Sequence, residues 1–217
     1  EGPGGTGGHN DRRRAYLKAA TDLLVSDLEE MVGNWKPGVA DNYRATLEGE
    51  SGESGLRKML FGMGSLSLGE LAGERMKVAL EANSSEDEHD CFSDNTHNSH
   101  FYNGLGIRNV YLGEYTRVDG SKVSGPSLSS LVAKADAATD ATLRADLDAT
   151  QAKLQAIVDH ANKGEHFDQL IAAGNTAGNQ VVRDAIAALV KQTGAIEQAA
   201  GKLGITDLNP DNADHEF

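Results

Sequence analysis

The chain has 217 residues, 39% apolar, 24% charged and only 5% aromatic, an ordinary composition for a globular protein long enough to bury its own core. Its formal net charge of −13 argues against nucleic acid, because phosphate binding needs clustered Lys and Arg and only Arg12-Arg13-Arg14 offers any. The single cysteine, Cys91, excludes an internal disulfide and a cysteine-rich zinc module, and no apolar run approaches the ~20 residues of a membrane span.

Residues 1–10 read as a flexible glycine-rich lead-in with nothing to bury. A start at Glu1, without Met or a signal peptide, is expected of a processed or truncated product, and leaves export open. Asn10 or Asp11 can cap a first helix, in which Leu17, Ala20, Leu24, Leu28, Met31 and Trp35 recur at spacings of three and four. That periodicity predicts one buried stripe, stopped by Pro37 and Gly38. A polar loop follows through Gly49-Glu50-Ser51-Gly52.

A second helix is expected from about Leu56 to Ala82, with Leu56, Leu60, Met63, Leu71 and Val78 as core candidates. Gly62, Gly64, Gly69 and Gly73 fall inside it, each costing on the order of 1 kcal/mol against Ala. So many glycines predict either a neighbouring backbone packed very close or a kink. Glu74 and Arg75 lie on the same run, Glu74 one turn from Val78.

Residues 86–100, Glu-Asp-Glu-His-Asp-Cys-Phe-Ser-Asp-Asn-Thr-His-Asn-Ser-His, concentrate the reactive side chains. Ser93 or Asp94 can cap a helix whose one face carries His97, Phe101, Gly104, Arg108 and Tyr111, and His100 stands one turn from His97, near enough for both rings to reach one ion. Imidazoles with carboxylates suit iron, zinc or manganese. A calcium loop is not matched, because Asp87 to Asn98 has no glycine at the sixth position. A helical His-Glu-x-x-His zinc motif is also absent, and Glu88-His89 reverses its order. A Cys91–His89 nucleophile is a weaker reading, since adjacent carboxylates oppose a thiolate. A purely structural reading pairs the loop's acids with Arg75 and Arg108.

Beyond the cluster, Gly113 to Gly125 form a polar connector able to turn as a hairpin at Val118-Asp119-Gly120. Pro126 opens a helix with Leu128, Leu131, Val132 and Ala135, and Thr139 can cap another carrying Leu143, Leu147, Leu154, Ile157 and Ala161. A short turn spans Glu165 to Ala173, a last helix carries Val182, Ala185, Leu189, Ile196 and Leu203, and a polar tail covers 206–217. The pattern is all-α, a helical bundle over 11–205, with a possible sub-boundary near 120–126.

Three runs carry a family resemblance: Gly73-Glu-Arg-Met-Lys-Val-Ala-Leu80, the stretch from Glu86 to His97, and Gly106-Ile-Arg-Asn-Val-Tyr-Leu-Gly113, joined by Gly164-Glu-His-Phe-Asp-Gln-Leu170. Together they resemble the imelysin family, the iron-regulated M75 peptidase-like proteins. The resemblance implies the C-terminal part of a two-bundle all-α fold and export to the bacterial periplasm or outer membrane. It also implies a link to iron uptake, with iron or another divalent metal, or a small ligand, bound between bundles.

The family's Gly-x-His-x-x-Glu motif is missing, because Gly8-His9 has no suitably placed Glu after it. Gly164-Glu165-His166-Phe167-Asp168-Gln169 is the nearest match and ends in Gln, so the expected partner is a missing N-terminal segment, alongside other iron-uptake components. Glu86, Glu88, His89, Asp94, His97 and His100 are then candidate metal or ligand contacts, with Glu74, Arg75, Ser93, Arg108, His166 and Asp168 in support. No catalytic residue is assigned, and M75 metallopeptidase activity remains an alternative by resemblance only.

Overall fold

A computed structural model describes residues 7–217, so most of the glycine-rich lead-in lies outside the described residues. Among the described residues the regular structure is helical apart from one two-stranded hairpin, and the chain forms two units, one ending at Gly55 and a second over Leu56–Phe217.

The first unit holds α1 (Asn10–Trp35) and α2 (Tyr43–Gly49). Asn42 fastens the two. Its amide donates to the carbonyls of Gly33 (2.9 Å) and Lys36 (2.8 Å), while its carbonyl oxygen accepts from Ala45 N (2.9 Å) and caps α2. Trp35 meets Tyr43 edge-on with ring centroids 5.2 Å apart. The sequence pattern missed α2, since seven residues leave no periodicity to read. The expected buried stripe on α1 is corrected as well: no α1 residue is buried, and Leu17 and Trp35 remain 64% and 48% exposed. Leu23, Val25 and Val32 lie between the stripe positions, so the apolar side chains surround the helix instead of marking one face. Neither Asn10 nor Asp11 caps it, and His9 precedes it in a left-handed conformation.

α3 (Gly52–Ser65) begins in the first unit and enters the second, where a π-helical segment (Leu66–Lys77) and α4 (Val78–Ala82) continue it without a break. Then come α5 (Thr96–Leu112), the antiparallel pair β1 (Glu114–Thr116) and β2 (Lys122–Ser124), α6 (Leu128–Ala135), α7 (Ala137–Ala161), α8 (Phe167–Ile171) and α9 (Thr176–Lys202). The hairpin turns through Gly120 (φ 82°) as the connector predicted. Asp136, not Thr139, caps α7, accepting from Thr139 N at 3.0 Å, and α6 opens at Leu128 behind a Ser127 cap, two residues after Pro126.

The central pair is α7 with α9, and their direction follows from their ion pairs. Asp136–Lys202 (2.7 Å), Asp146–Lys191 (2.6 Å) and Lys153–Asp184 (2.9 Å) rise along one helix as they fall along the other, so the two run antiparallel. One apolar cluster joins Leu60, Ile107, Tyr111, Leu143 and Ile196; a second joins Leu71, Met76, Leu154, Phe167, Val182 and Leu189. The π segment docks on α9 through Ser67, whose hydroxyl donates to the Leu189 carbonyl (3.0 Å) and accepts from Gln192 (2.8 Å).

Tyr111, fully buried, donates to Asp140 Oδ1 at 2.9 Å, and the Ser129 hydroxyl donates to the same oxygen at 2.6 Å. Burial, reinforced by that carboxylate, raises the phenol's pKa well above its ordinary value. Tyr111→Phe is expected to cost about 2 kcal/mol in urea unfolding, the worth of a buried hydrogen bond to a charged group. An unchanged midpoint would show that the hydroxyl is idle.

Three of the four interior glycines of the second helix have their explanation in the tail, whereas a Cβ at Gly62 would meet nothing within 4 Å. Residues 206–217 lie along the end of α3 and the π segment: a Cβ at Gly64, in α3, would stand 2.6 Å from Pro210 Cγ, and one at Gly69, in the π segment, would stand 2.7 Å from the Asp211 carbonyl oxygen. A Cβ at Gly73 would strike the His215 ring. A close backbone was one of the two expectations, and the π geometry, with its i→i+5 bonding, is the helix's departure from regularity.

Candidate functional site

The loop from Asn83 to Asn95 is shaped by Asp90. Its carbonyl accepts from Ser93 N (3.1 Å) and Asp94 N (2.9 Å), its own amide donates to Thr96 Oγ1 (3.0 Å), and its carboxylate receives the Ser99 hydroxyl. Asp94 is held in the left-handed region (φ 52°), which Asp tolerates better than most residues. The helix-capping role expected of Ser93 or Asp94 is therefore corrected: neither side chain caps α5, and Asn95 precedes it without a side-chain cap.

A cavity of about 340 Å³ opens between this loop and α8, lined by Glu86, Glu88, Asp94 and Asp168 with Ser85, Cys91 and Phe92. α8 is too short to be stable alone. It is held by the buried Phe167, Leu170 and Ile171, by Asn179 donating to Leu170 O (2.8 Å), and by Asn83 donating to Ile171 O (2.7 Å). That docking brings His166 and Asp168 to the loop. His166 Nδ1 stands 3.0 Å from Asp94 Oδ2, an ion pair when the ring is protonated, yet it completes no hydrogen bond.

The electrostatics are those of crowded anions. Glu88 is 6% exposed, its Oε2 is buried without a partner, and Asp168 Oδ1 is in the same state. Desolvation raises the Glu88 pKa; the hydrogen bond with the Thr96 hydroxyl, next in size, opposes it, and the carboxylates of Asp168, Asp94 and Asp90 each push it up by less. The two arginines offered as partners are engaged elsewhere. Arg75 binds Glu70 (2.9 Å) and Asn103 (2.8 Å), and Arg108 binds Asp148 (2.9 Å) and Glu114 (3.0 Å), so the loop is not knitted to its helices by either.

The histidines separate, contrary to the expectation from α5 spacing. His97 turns to His166, with ring centroids 5.6 Å apart, and its Nδ1 is buried without a partner. Burial, and then His166, lower its pKa, which favours the neutral ring. His100 turns inward against Phe167 (4.9 Å, edge-on), fully buried with both nitrogens unpartnered. Burial holds its pKa down at about 3. His89 is exposed, 6.4 Å from the His100 ring. Glu74 is exposed on the π segment and borders no core.

The residues thus fall into two groups. Glu86, Glu88, Asp94, His97, His166 and Asp168 converge at the cavity and its rim, whereas His100 lies in the core, and Glu74, Arg75, Ser93 and Arg108 serve elsewhere. Cys91 is half-buried in the cavity wall. The sequence reading missed Asp90, Ser85 and Phe92. Asp90 was findable, because an Asp three residues before a Ser marks a turn as readily as a site.

A cation is the group this donor set would suit, since carboxylate oxygens and neutral imidazoles are ligands for iron, manganese or zinc. The orphaned oxygens of Glu88 and Asp168 fit such an ion. Among the described residues, however, no three His, Cys, Asp or Glu side chains are gathered closely enough to hold one as they stand. No helix among the described residues is long and apolar enough to cross a membrane.

Comparison with curated proteins yields no match. The family description Imelysin, Peptidase M75, matches residues 2–196, a span that contains every residue lining the cavity, and the chain belongs to the imelysin family.

Proposed function

We propose that this chain is an exported bacterial imelysin-like protein of iron uptake that binds a metal ion, or a small ligand carrying one, at the acidic cavity between the Asn83–Asn95 loop and α8. The observation that supports it is Glu88: a buried carboxylate with an orphaned oxygen among Asp94, Asp90 and Asp168. Repulsion of this kind is relieved by a cation. Glu88, Asp94 and Asp168 would hold the ion, with His97 and His166 at the rim. Small side-chain rotations or water would complete its shell, because His166 Nδ1 now stands against Asp94 and His97 Nδ1 has no partner.

The chain belongs to the M75 family, yet the position of the motif's Glu supplies no base here. Gln169 stands where the motif has Glu, an amide cannot take a proton, and its Oε1 already accepts from His166 N (3.2 Å). Binding without turnover is the reading that these residues favour.

Titration calorimetry with Fe²⁺, Mn²⁺ and Zn²⁺ tests it on the full chain. Asp94→Ala/His97→Ala is expected to weaken the tightest of these by roughly ten- to a hundredfold. Glu88→Gln is expected to weaken it too, while raising the melting temperature of the metal-free protein because one repelling charge is gone. Affinities unchanged in both variants would sink the cation reading.

A further inference from the structure

We infer that α1 is a dimerisation helix: it pairs antiparallel with α1 of a second copy of this chain, along a seam centred on Leu24. The surface calls for a cover. None of the 26 residues of α1 is buried, and nine large apolar side chains, from Tyr16 at 78% exposed to Trp35 at 48%, lie along it. They expose roughly 1,000 Å², more than a monomer usually shows in one patch and enough for the roughly 800 Å² per partner of a standard interface. No residue of the acidic cavity is involved.

Spacing selects the occupant. Leu17, Ala20, Leu24, Leu28 and Met31 follow one another at intervals of three, four, four and three residues, a series that reads the same in either direction. Two such helices laid antiparallel about Leu24 therefore superpose their seams, with Leu17 opposite Met31, Ala20 opposite Leu28, and Leu24 meeting its own copy. Self-complementarity of this kind is what a two-fold interface requires. Tyr16 and Leu23 on one side, and Val25 and Val32 on the other, stand where the edges of a helix pair are covered in part.

Charge agrees with spacing. Residues 12–18 hold Arg12, Arg13, Arg14 and Lys18 with no acid, and residues 22–30 hold Asp22, Asp27, Glu29 and Glu30 with no base. For a helix on its own this order is unfavourable, since it puts bases at the positive end of the dipole and acids towards the negative end. An antiparallel neighbour of the same sequence reverses that, because each basic end then faces an acidic one. Arg14 leans on Asp11, Lys18 on Asp22, and Arg13 on the Gly7 carbonyl, but contacts between exposed side chains are worth little and exchange readily. Asp27, Glu29 and Glu30 stand exposed at the other end.

Sedimentation velocity on the full chain tests this. The wild type at about 50 µM is expected to run as a dimer of the 22.9 kDa chain. Leu24→Asp, which sets two carboxylates against each other on the two-fold, is expected to weaken association at least about a hundredfold. Because Leu24 is 58% exposed and belongs to neither apolar cluster, the core is untouched. Arg14→Glu/Lys18→Glu is expected to weaken the dimer roughly tenfold, and adding Glu29→Lys/Glu30→Lys to the same chain to restore it. Orientation is read by oxidation in a Cys91→Ser background. Leu24→Cys is expected to form a covalent dimer, whereas Leu17→Cys is not, its two copies lying about 21 Å apart along the seam. A monomeric wild type, as expected if α1 packs on its own chain or on a different protein, would overturn the inference. So would a dimer indifferent to Leu24→Asp, no recovery on charge exchange, or equal cross-linking at positions 17 and 24.

Discussion

Lowering the pH from 7 to 4 is expected to cost the wild-type fold about 3 kcal/mol through His100 alone. The ring is fully buried with its pKa held near 3, against an ordinary 6.5. Burial is the main cause, and the charges of His89, Arg75 and His97 act in the same direction. The unfolded chain therefore takes up a proton below pH 6.5 that the folded chain refuses, so stability is unaffected above that value and falls as the pH drops towards 3. His100→Leu removes the effect. Because other carboxylates also titrate in this range, the measurement is the difference between the two proteins: urea unfolding at several pH values, with a gap that widens by about 3 kcal/mol from pH 7 to 4. Parallel curves would show that the ring is protonated in the fold.

Phe167→Ala is expected to be more damaging at neutral pH, at about 3–5 kcal/mol. The ring is 1% exposed, lies edge-on to His100 and belongs to the cluster of Leu71, Leu154, Val182 and Leu189. Its loss leaves a cavity that those neighbours fill only in part. It also removes one of three apolar anchors of a five-residue helix, so His166 and Asp168 lose their placement, and the cation binding proposed for them is expected to weaken along with stability. Val78→Ala is the contrast. That side chain, expected in the core, is 36% exposed, and its truncation should stay within about 0.5 kcal/mol. Comparable midpoints for the two variants would contradict the assignment of the core.

The reason Val78 misled is physical. The expected core positions assumed an α-helical period throughout, but between Leu66 and Lys77 the bonding is i→i+5, and the buried pair Leu71 and Met76 are five apart. Helix existence was legible almost everywhere, because amphipathic periodicity survives in α5, α7 and α9. Partners were not. His97 and His100 share a side of α5 in any helical reading, yet one finds His166 and the other Phe167, both supplied by a segment nearly 70 residues on. The acidic loop itself stood out by composition, and the family runs quoted from it were sound guides. What composition could not show was that Arg75 and Arg108 would be taken by other acids, leaving the loop's charge uncompensated.

The packing of the tail on three glycines has a consequence for how such chains diverge. Positions 64, 69 and 73 and the tail that covers them are expected to change together, since a side chain at 69 collides with the tail's backbone and one at 64 or 73 displaces Pro210 or the His215 ring. A lineage that sheds the tail is released from keeping those glycines, each a burden on its helix. Relatives should therefore split into two kinds, tailed with glycines and tailless with larger residues, with mixed types the rare intermediates between them.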